Sequence, residues 1–254
     1  MAVSKFAPKD KKKRTARRSY RFPIFWSFSR WEIFNKCKAR YEFQHLQKLP
    51  QPPSVHLERG IDVHNQGEAY LDGTLTRLPV AYREFADEMR AIKKLGATAE
   101  GNYAFTKSWT PCEPTDWTHA WLRVKIDAEV LAKTSNPLWT ALTQIDFKTG
   151  RPYPITKEQS ELYAVTGFLR YPDVGTIETE FWYLDSGEVV PYVYSRPEYS
   201  ALKKKWAARG RDVTATRQFP PTTNAYNCKY CPFRDDKKLG NGEPGPCAAW
   251  RKAK

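Results

Sequence analysis

Gln144-Ile145-Asp146-Phe147-Lys148-Thr149-Gly150 puts an acid and a lysine one residue apart inside a β-type run. Successive side chains of a strand point to opposite faces, so Asp146 and Lys148 share one face while Ile145 and Phe147 pack into the other. An acid and an ammonium held side by side on a strand are a candidate for chemistry.

Upstream, Trp121-Leu122-Arg123-Val124-Lys125-Ile126-Asp127 alternates apolar and polar residues as a half-buried strand does, and ends in a second carboxylate, Asp127. Two carboxylates side by side repel unless a cation lies between them. Mg²⁺ or Mn²⁺ suits such a pair, because hard cations take carboxylate oxygens and keep open positions for water and phosphate. A lysine at the rim would orient or help deprotonate the attacking water and offset charge in the transition state. This is the equipment of phosphodiester hydrolysis.

These residues carry a family resemblance. Asp127 followed by Asp146-Phe147-Lys148 resembles the D…(D/E)xK core of the PD-(D/E)xK nucleases, and Asp146-Phe147-Lys148-Thr149-Gly150 is similar to the RecB-like branch. Three further segments match in the family's order. Ser27-Phe28-Ser29-Arg30-Trp31, leading to Cys37, resembles the opening Ser-x-Ser helix. Gly60-Ile61-Asp62-Val63-His64 resembles the segment whose histidine helps bind metal, and Gln159-Ser160-Glu161-Leu162-Tyr163 resembles the Gln-x-x-x-Tyr helix after the catalytic strands. The resemblance spans Ser27 to Cys247. It implies that Asp127, Asp146 and His64 are metal ligands, completed by the backbone carbonyl of Phe147. Lys148 handles the nucleophilic water, and Gln159 and Tyr163 position the strand. No glycine stands shortly before Asp127, where the family often has one.

Cysteines give a second signal. Cys228-Lys229-Tyr230-Cys231 has the spacing that lets two thiolates reach one metal or cluster, and Cys247 is a plausible third ligand. With Cys37 as the fourth, the arrangement resembles the iron–sulfur staple of the AddB nuclease domain and of the RecB-like nucleases of CRISPR adaptation. There a [4Fe–4S] cluster joins the first helix to the C-terminal tail. Four thiolates suit Zn²⁺ equally well by ligand chemistry, and the choice of iron rests on the resemblance. The stretch between Cys231 and Cys247 is long and rich in Gly and Pro, so folding it back costs loop-closure entropy. Cys112, beside Pro111, lies outside the pattern and reads as a structural thiol.

A net charge of +14 on 254 residues points to a polyanionic partner. Part of the excess sits in Lys5 to Arg18, so residues 1–20 read as a basic disordered leader that adds nonspecific, salt-sensitive affinity. Residues 21–254 read as one nuclease domain, closed by a cysteine tail over 228–247. With 41% hydrophobic residues, 9 Trp and 14 Tyr, the chain as a whole is no disordered segment. No apolar run approaches the ~20 residues of a membrane span. The basic start lacks the sustained apolar stretch of a signal peptide, so a cytoplasmic place, in a bacterium or a phage-infected host, is expected.

The elements read coarsely as a helix over Ser27–Gln47 capped by Ser27 or Ser29, then a Pro50-Gln51-Pro52-Pro53 break. A second helix carries His64, and a third runs from Pro79 to Leu95 with Phe85, Met89 and Ile92 on one face. Strands follow over Asn102–Trp109, Trp121–Leu131, Leu142–Lys148, Thr176–Tyr183 and Val189–Tyr194. A helix at Gln159 interrupts them, and a late one spans Pro197–Arg209. The sum is an α/β restriction-endonuclease-like core with a mixed central sheet between helices. Glu100 is a secondary acid candidate, placed in a turn before the first strand. Trp117, Trp139 and Trp182 are not assigned to DNA.

The reading is a metal-dependent DNA nuclease, an exonuclease of recombination, replication or repair. Its substrate is single-stranded DNA or DNA with a free end. No G-x-x-x-x-G-K-[ST] loop occurs, so unwinding would come from a helicase or recombination partner. The single-domain form and basic leader suit a bacteriophage protein. Two alternatives stand beside it: a non-catalytic nucleic-acid-binding protein with a zinc-type cysteine site, and an endonuclease on the same scaffold.

Overall fold

The computed structural model describes residues 25–133, 140–152 and 156–253. The basic leader over residues 1–20 and Trp139 lie outside them.

Six strands form one sheet in the order β2-β1-β3-β4-β5-β6. They are β1 (Thr98–Phe105), β2 (Pro111–Cys112), β3 (Leu122–Lys133), β4 (Thr140–Lys148), β5 (Val174–Tyr183) and β6 (Glu188–Ser195). β4 and β5 are parallel and every other pair is antiparallel, so the sheet is mixed as expected. The parallel pair requires a crossover, which α5 (Thr156–Arg170) supplies.

Helices cover both faces. On one, α3 (Val55–Leu71) and α4 (Ala86–Lys94) seal a core of Val63, Phe85, Met89 and Ile92 against Ile145, Phe147 and Trp182. On the other, α1 (Phe28–Lys36), α5 and α6 (Tyr199–Ala215) enclose Trp26, Trp31, Trp121, Leu122, Leu162 and Trp206. Trp26 and Trp206 stack with centroids 6.0 Å apart. The expected division of β4 holds, because Ile145 and Phe147 pack under α3 and α4 while Asp146 turns toward α5.

α3 approaches β4 closely because Gly67 carries no side chain. A Cβ there would lie 2.1 Å from the Tyr82 hydroxyl and 3.2 Å from the Phe147 ring. Tyr82 in turn donates to the Val63 carbonyl at 3.0 Å, which ties the turn before α4 to the segment carrying His64.

Several boundaries differ from those read in the sequence. The first helix is capped by Ser27, whose hydroxyl accepts from Arg30 N–H, but it breaks at Cys37, which is extended. It resumes as α2 (Lys38–Tyr41) and a π-turn over Glu42–Leu46. At the break the Cys37 thiol accepts the Thr222 N–H at 3.4 Å, a tertiary contact that periodicity cannot encode. β1 begins at Thr98, so Glu100 sits inside the strand rather than in a turn before it. It occupies the left-handed region at φ 47°. Cys112 lies on the short edge strand β2. The late helix runs on to Ala215, and the tail adds α7 (Ala225–Lys229).

Candidate active site

The site lies where β3 and β4 part. Their ladder is regular from Lys133↔Thr140 to Ala128↔Ile145, and the next pair in register would be Asp127 opposite Asp146. There a side chain replaces the backbone bond: Asp127 Oδ2 accepts the Phe147 N–H at 2.8 Å. β3 also redirects its apolar residues at this point. Leu122, Val124 and Ile126 pack with α1 and α6, whereas Ala128 and Val130 pack with α3 and α4. Sheet geometry thereby brings two carboxylates, both under one tenth exposed, onto neighbouring strands.

Each acid has its own supports. Asp127 Oδ1 lies 2.9 Å from His64 Nδ1 on α3. Burial, and then the charge of Asp146, push the Asp127 carboxyl above its ordinary range against these hydrogen bonds. Asp146 Oδ1 accepts from Gln159 Nε2 at 2.8 Å and from the Tyr163 hydroxyl at 2.7 Å. Its Oδ2 is 2.5 Å from Lys148 Nζ. Burial alone would lower the Lys148 ammonium, but Asp146 and then Asp127 outweigh it and hold the group above its usual value. The same contest raises His64, where burial is outweighed by Asp127 and Asp146. Tyr163, deeply buried beside two acids, is pushed well above the phenol range and stays a donor.

Gln159 and Tyr163 stand one turn apart on α5 and bond each other at 2.8 Å, as their spacing predicts. In this arrangement both bond Asp146. Gln159 Oε1 also accepts from Lys148 at 3.1 Å, so one amide links the acid and the ammonium. Glu100 is ion-paired with Lys125 and its Oε1 is buried with no hydrogen-bond partner. Glu100 and Asp127 both act on the Tyr82 hydroxyl, which burial first and then these acids raise. In the β1–β3 register Glu100 falls opposite Asp127, between the pairs Ala99↔Ala128 and Gly101↔Ile126.

A neighbouring group escaped the sequence reading. Glu129, two residues beyond Asp127, accepts from Gln144 Nε2 at 2.9 Å and Arg170 Nη1 at 2.8 Å, and from the Tyr103 hydroxyl. Alternation along β3 places Glu129 on the face of Asp127, and that was the available signal. The network ties the far end of α5 to the sheet that carries the acids.

At the opposite end, Cys37, Cys228, Cys231 and Cys247 line a single apolar pocket. The long Cys231–Cys247 stretch is folded by its own bonds: Lys238 pairs with Pro244, Cys247 N–H reaches Phe233, and Gly240 N–H reaches Pro50. Burial holds the Cys231 thiol above its usual range. Among the described residues no three His, Cys, Asp or Glu side chains converge as a ready-made metal cage, either here or at the acids. The donor types, taken by themselves, are those such ions accept. Asp146 Oδ2 is buried against the Lys148 ammonium, and one or two carboxylates are what Mg²⁺ usually takes from a protein beside substrate and water. Four thiols around one pocket are soft donors for zinc or iron.

A family model described as the PD-(D/E)XK nuclease superfamily matches residues 25–235. The chain belongs to that superfamily. Its mixed sheet between helices is the restriction-endonuclease-like α/β fold, and the superfamily's chemistry is nucleolytic cleavage of phosphodiesters. The match takes in every proposed acid, Lys148, Cys228 and Cys231, and ends before Cys247. A solved structure titled "Crystal structure of SSO0001" is similar with a TM-score of 0.40 and 15% identity, covering 83% of this chain and 84% of that one. No curated protein matches at a significant level. Among the described residues no helix of this superfamily member is long and apolar enough to cross a membrane.

Proposed function

We propose that this PD-(D/E)XK protein is a Mg²⁺- or Mn²⁺-dependent deoxyribonuclease, acting as an exonuclease in DNA recombination, replication or repair. One observation carries the reading: Asp127 and Asp146 lie buried on adjacent strands at the point where the ladder opens, with Lys148 on the outer oxygen of Asp146. Asp127, Asp146, the Phe147 carbonyl and His64 would hold the ion. When bound, the cation polarises the phosphate and lowers the pKa of water.

The chain's own groups do the rest. The Lys148 ammonium orients the attacking water and offsets charge as it develops on the phosphate. Gln159 and Tyr163 hold Asp146 in one rotamer and so fix where the phosphate is met. Residues 21–254 act as one nuclease domain, and the lysines and arginines of residues 1–20 add nonspecific affinity for DNA. Cys37, Cys228, Cys231 and Cys247 hold a structural [4Fe–4S] cluster that joins the first helix to the tail, with zinc as the other occupant. The enzyme works in the cytosol, in a bacteriophage setting, on single-stranded or free-ended DNA, with any unwinding left to a helicase partner.

The test is a time course on end-labelled linear DNA with and without Mn²⁺, comparing wild type with Asp146→Ala. Metal-dependent shortening from the ends, absent in the variant, supports the reading. Degradation of closed circles makes it an endonuclease, and preference for RNA removes the DNA assignment. No cleavage by the wild type under any of these conditions overturns it. The cluster is read separately: anaerobically purified protein absorbs near ~400 nm and loses that band in Cys228→Ser. Colourless protein with stoichiometric zinc overturns the iron assignment alone.

A further inference from the structure

A cleft of about 320 Å³ is lined by Gln159 and Tyr163, the two residues that bond Asp146, and by Arg123 and Phe25. Arg123 and Phe25 belong also to a stack of rings and guanidinium groups. The Arg123 guanidinium lies 3.6 Å over the Trp117 ring and 4.8 Å from Phe25, and Arg30 lies 4.0 Å over the other ring, Phe25. Phe25 and Trp117 meet edge to face at 5.8 Å. Trp117 is 63% exposed, against 6% or less for the core tryptophans Trp26, Trp31, Trp109, Trp121, Trp182 and Trp206. One face of its indole is therefore covered by a cation while the side chain as a whole stays open to solvent.

Among the described residues no carboxylate is hydrogen-bonded to either cation, though Tyr41 lies beside Arg30. Nε and Nη2 of Arg123 and Nη1 of Arg30 are shielded from water and have no hydrogen-bond partner. Asp116, the carboxylate whose charge reaches Arg123, uses its oxygens on the Thr118 and His119 N–H groups and on the His119 ring. Two guanidinium groups around one phenyl ring, without a carboxylate bonded to either, repel one another and attract an anion. A guanidinium stacked on an aromatic face keeps its edge donors for phosphate, and an exposed indole offers its free face to a base.

We propose that Trp117, Arg123, Phe25 and Arg30 form a nucleotide ledge: a base of single-stranded DNA stacks on Trp117 while its phosphate is taken by Arg123 and Arg30. This rests on the DNA nuclease reading and deepens it by naming the substrate form. The occupant is a single strand because a base within a duplex has both faces covered by its neighbours. Arg123 and Phe25 of the ledge share the cleft with Gln159 and Tyr163, so a strand held there lies beside the residues that bond Asp146.

The experiment uses the full chain in EDTA, so that binding is measured without cleavage. A short fluorescein-labelled oligothymidylate and a blunt duplex of equal length are titrated by anisotropy. Trp117→Ala is expected to weaken single-strand binding roughly tenfold to a hundredfold, the range of one lost base stack, with duplex binding changed by less than about twofold. Trp117→Phe keeps a ring face and restores most of the affinity. Arg123→Gln lowers the slope of log affinity against log salt by about 0.7, the loss of one phosphate contact on a single strand. Circular dichroism and melting confirm that each variant is folded. Unchanged single-strand affinity in Trp117→Ala, or equal loss on both DNA forms, overturns the ledge. Should wild type fail to cleave DNA with Mn²⁺ while the Trp117 effect persists, the hydrolase reading falls and the ledge stands.

Discussion

The Tyr163 hydroxyl donates to Asp146 Oδ1 at 2.7 Å, which leaves Oδ2 of that carboxylate to Lys148. The hydroxyl has one proton and a second acceptor nearby, the Lys125 carbonyl at 3.0 Å. The charged oxygen is the stronger acceptor and takes it. On the proposed mechanism Tyr163 acts through Asp146, as a positioning residue. Tyr163→Phe is expected to lower kcat by about 10–100-fold, the usual consequence of removing a hydrogen bond behind a metal ligand, with KM little changed. Steady-state kinetics on linear DNA separates the two. A raised KM at constant kcat would assign Tyr163 to substrate binding instead.

The two aspartates oppose folding when no cation is present, since both are buried and each repels the other. Asp127→Asn removes that repulsion, and its amide oxygen can still accept the Phe147 N–H. In EDTA this variant is expected to melt about 2–4 °C above wild type, corresponding to about 1 kcal/mol in a chain of this size. It is also expected to be inactive. Mn²⁺ should raise the melting temperature of wild type and leave the variant almost unmoved, because only the first gains from binding. Differential scanning fluorimetry with and without metal checks both signs.

The juxtaposition of Asp127, Asp146 and Lys148 was legible because it depends on period and order. Alternation placed Asp146 with Lys148 and apart from Phe147, and the i, i+4 spacing placed Gln159 over Tyr163. What escaped the sequence depends on tertiary pairing. The break at Cys37 is met by Thr222, 185 residues further on, and Glu100 falls inside β1 because Ala99 and Gly101 on either side of it pair with Ala128 and Ile126 of β3. Trp117 looks like any core aromatic until the packing leaves it outside. Glu129 lay on the correct face, but its meaning rests on Arg170, which reaches it from the end of α5.

That pair makes a stability prediction. Glu129 and Arg170 are both nearly inaccessible, with side chains 3% and 10% exposed. Arg170→Met leaves a buried carboxylate without its counter-charge and is expected to cost about 3–5 kcal/mol. Glu129→Gln combined with Arg170→Met recovers much of the loss, since a neutral amide still serves Tyr103 and Gln144. Urea unfolding measures this as a lowered midpoint that rises again in the double variant, with the slope unchanged. Additive losses in the double variant would mean that Arg170 acts by packing alone.

His45 gives the fold an acid limit. Its ring rests on Tyr41 at 5.1 Å with Nε2 buried and unpartnered. Burial first, and then Arg30 and Arg40, hold its pKa down to about 4. An unfolded chain protonates the same ring near ~6.5, so between these values the unfolded state binds more protons and stability falls as pH is lowered. The contribution is fully present above about pH 6.5 and gone below about pH 4. Partial exposure of the ring reduces the expected loss to about 1–2 kcal/mol. His45→Gln cannot take up that proton, so its melting temperature should decline less steeply than wild type between these limits. Parallel slopes for the two proteins would show that His45 is not the group responsible.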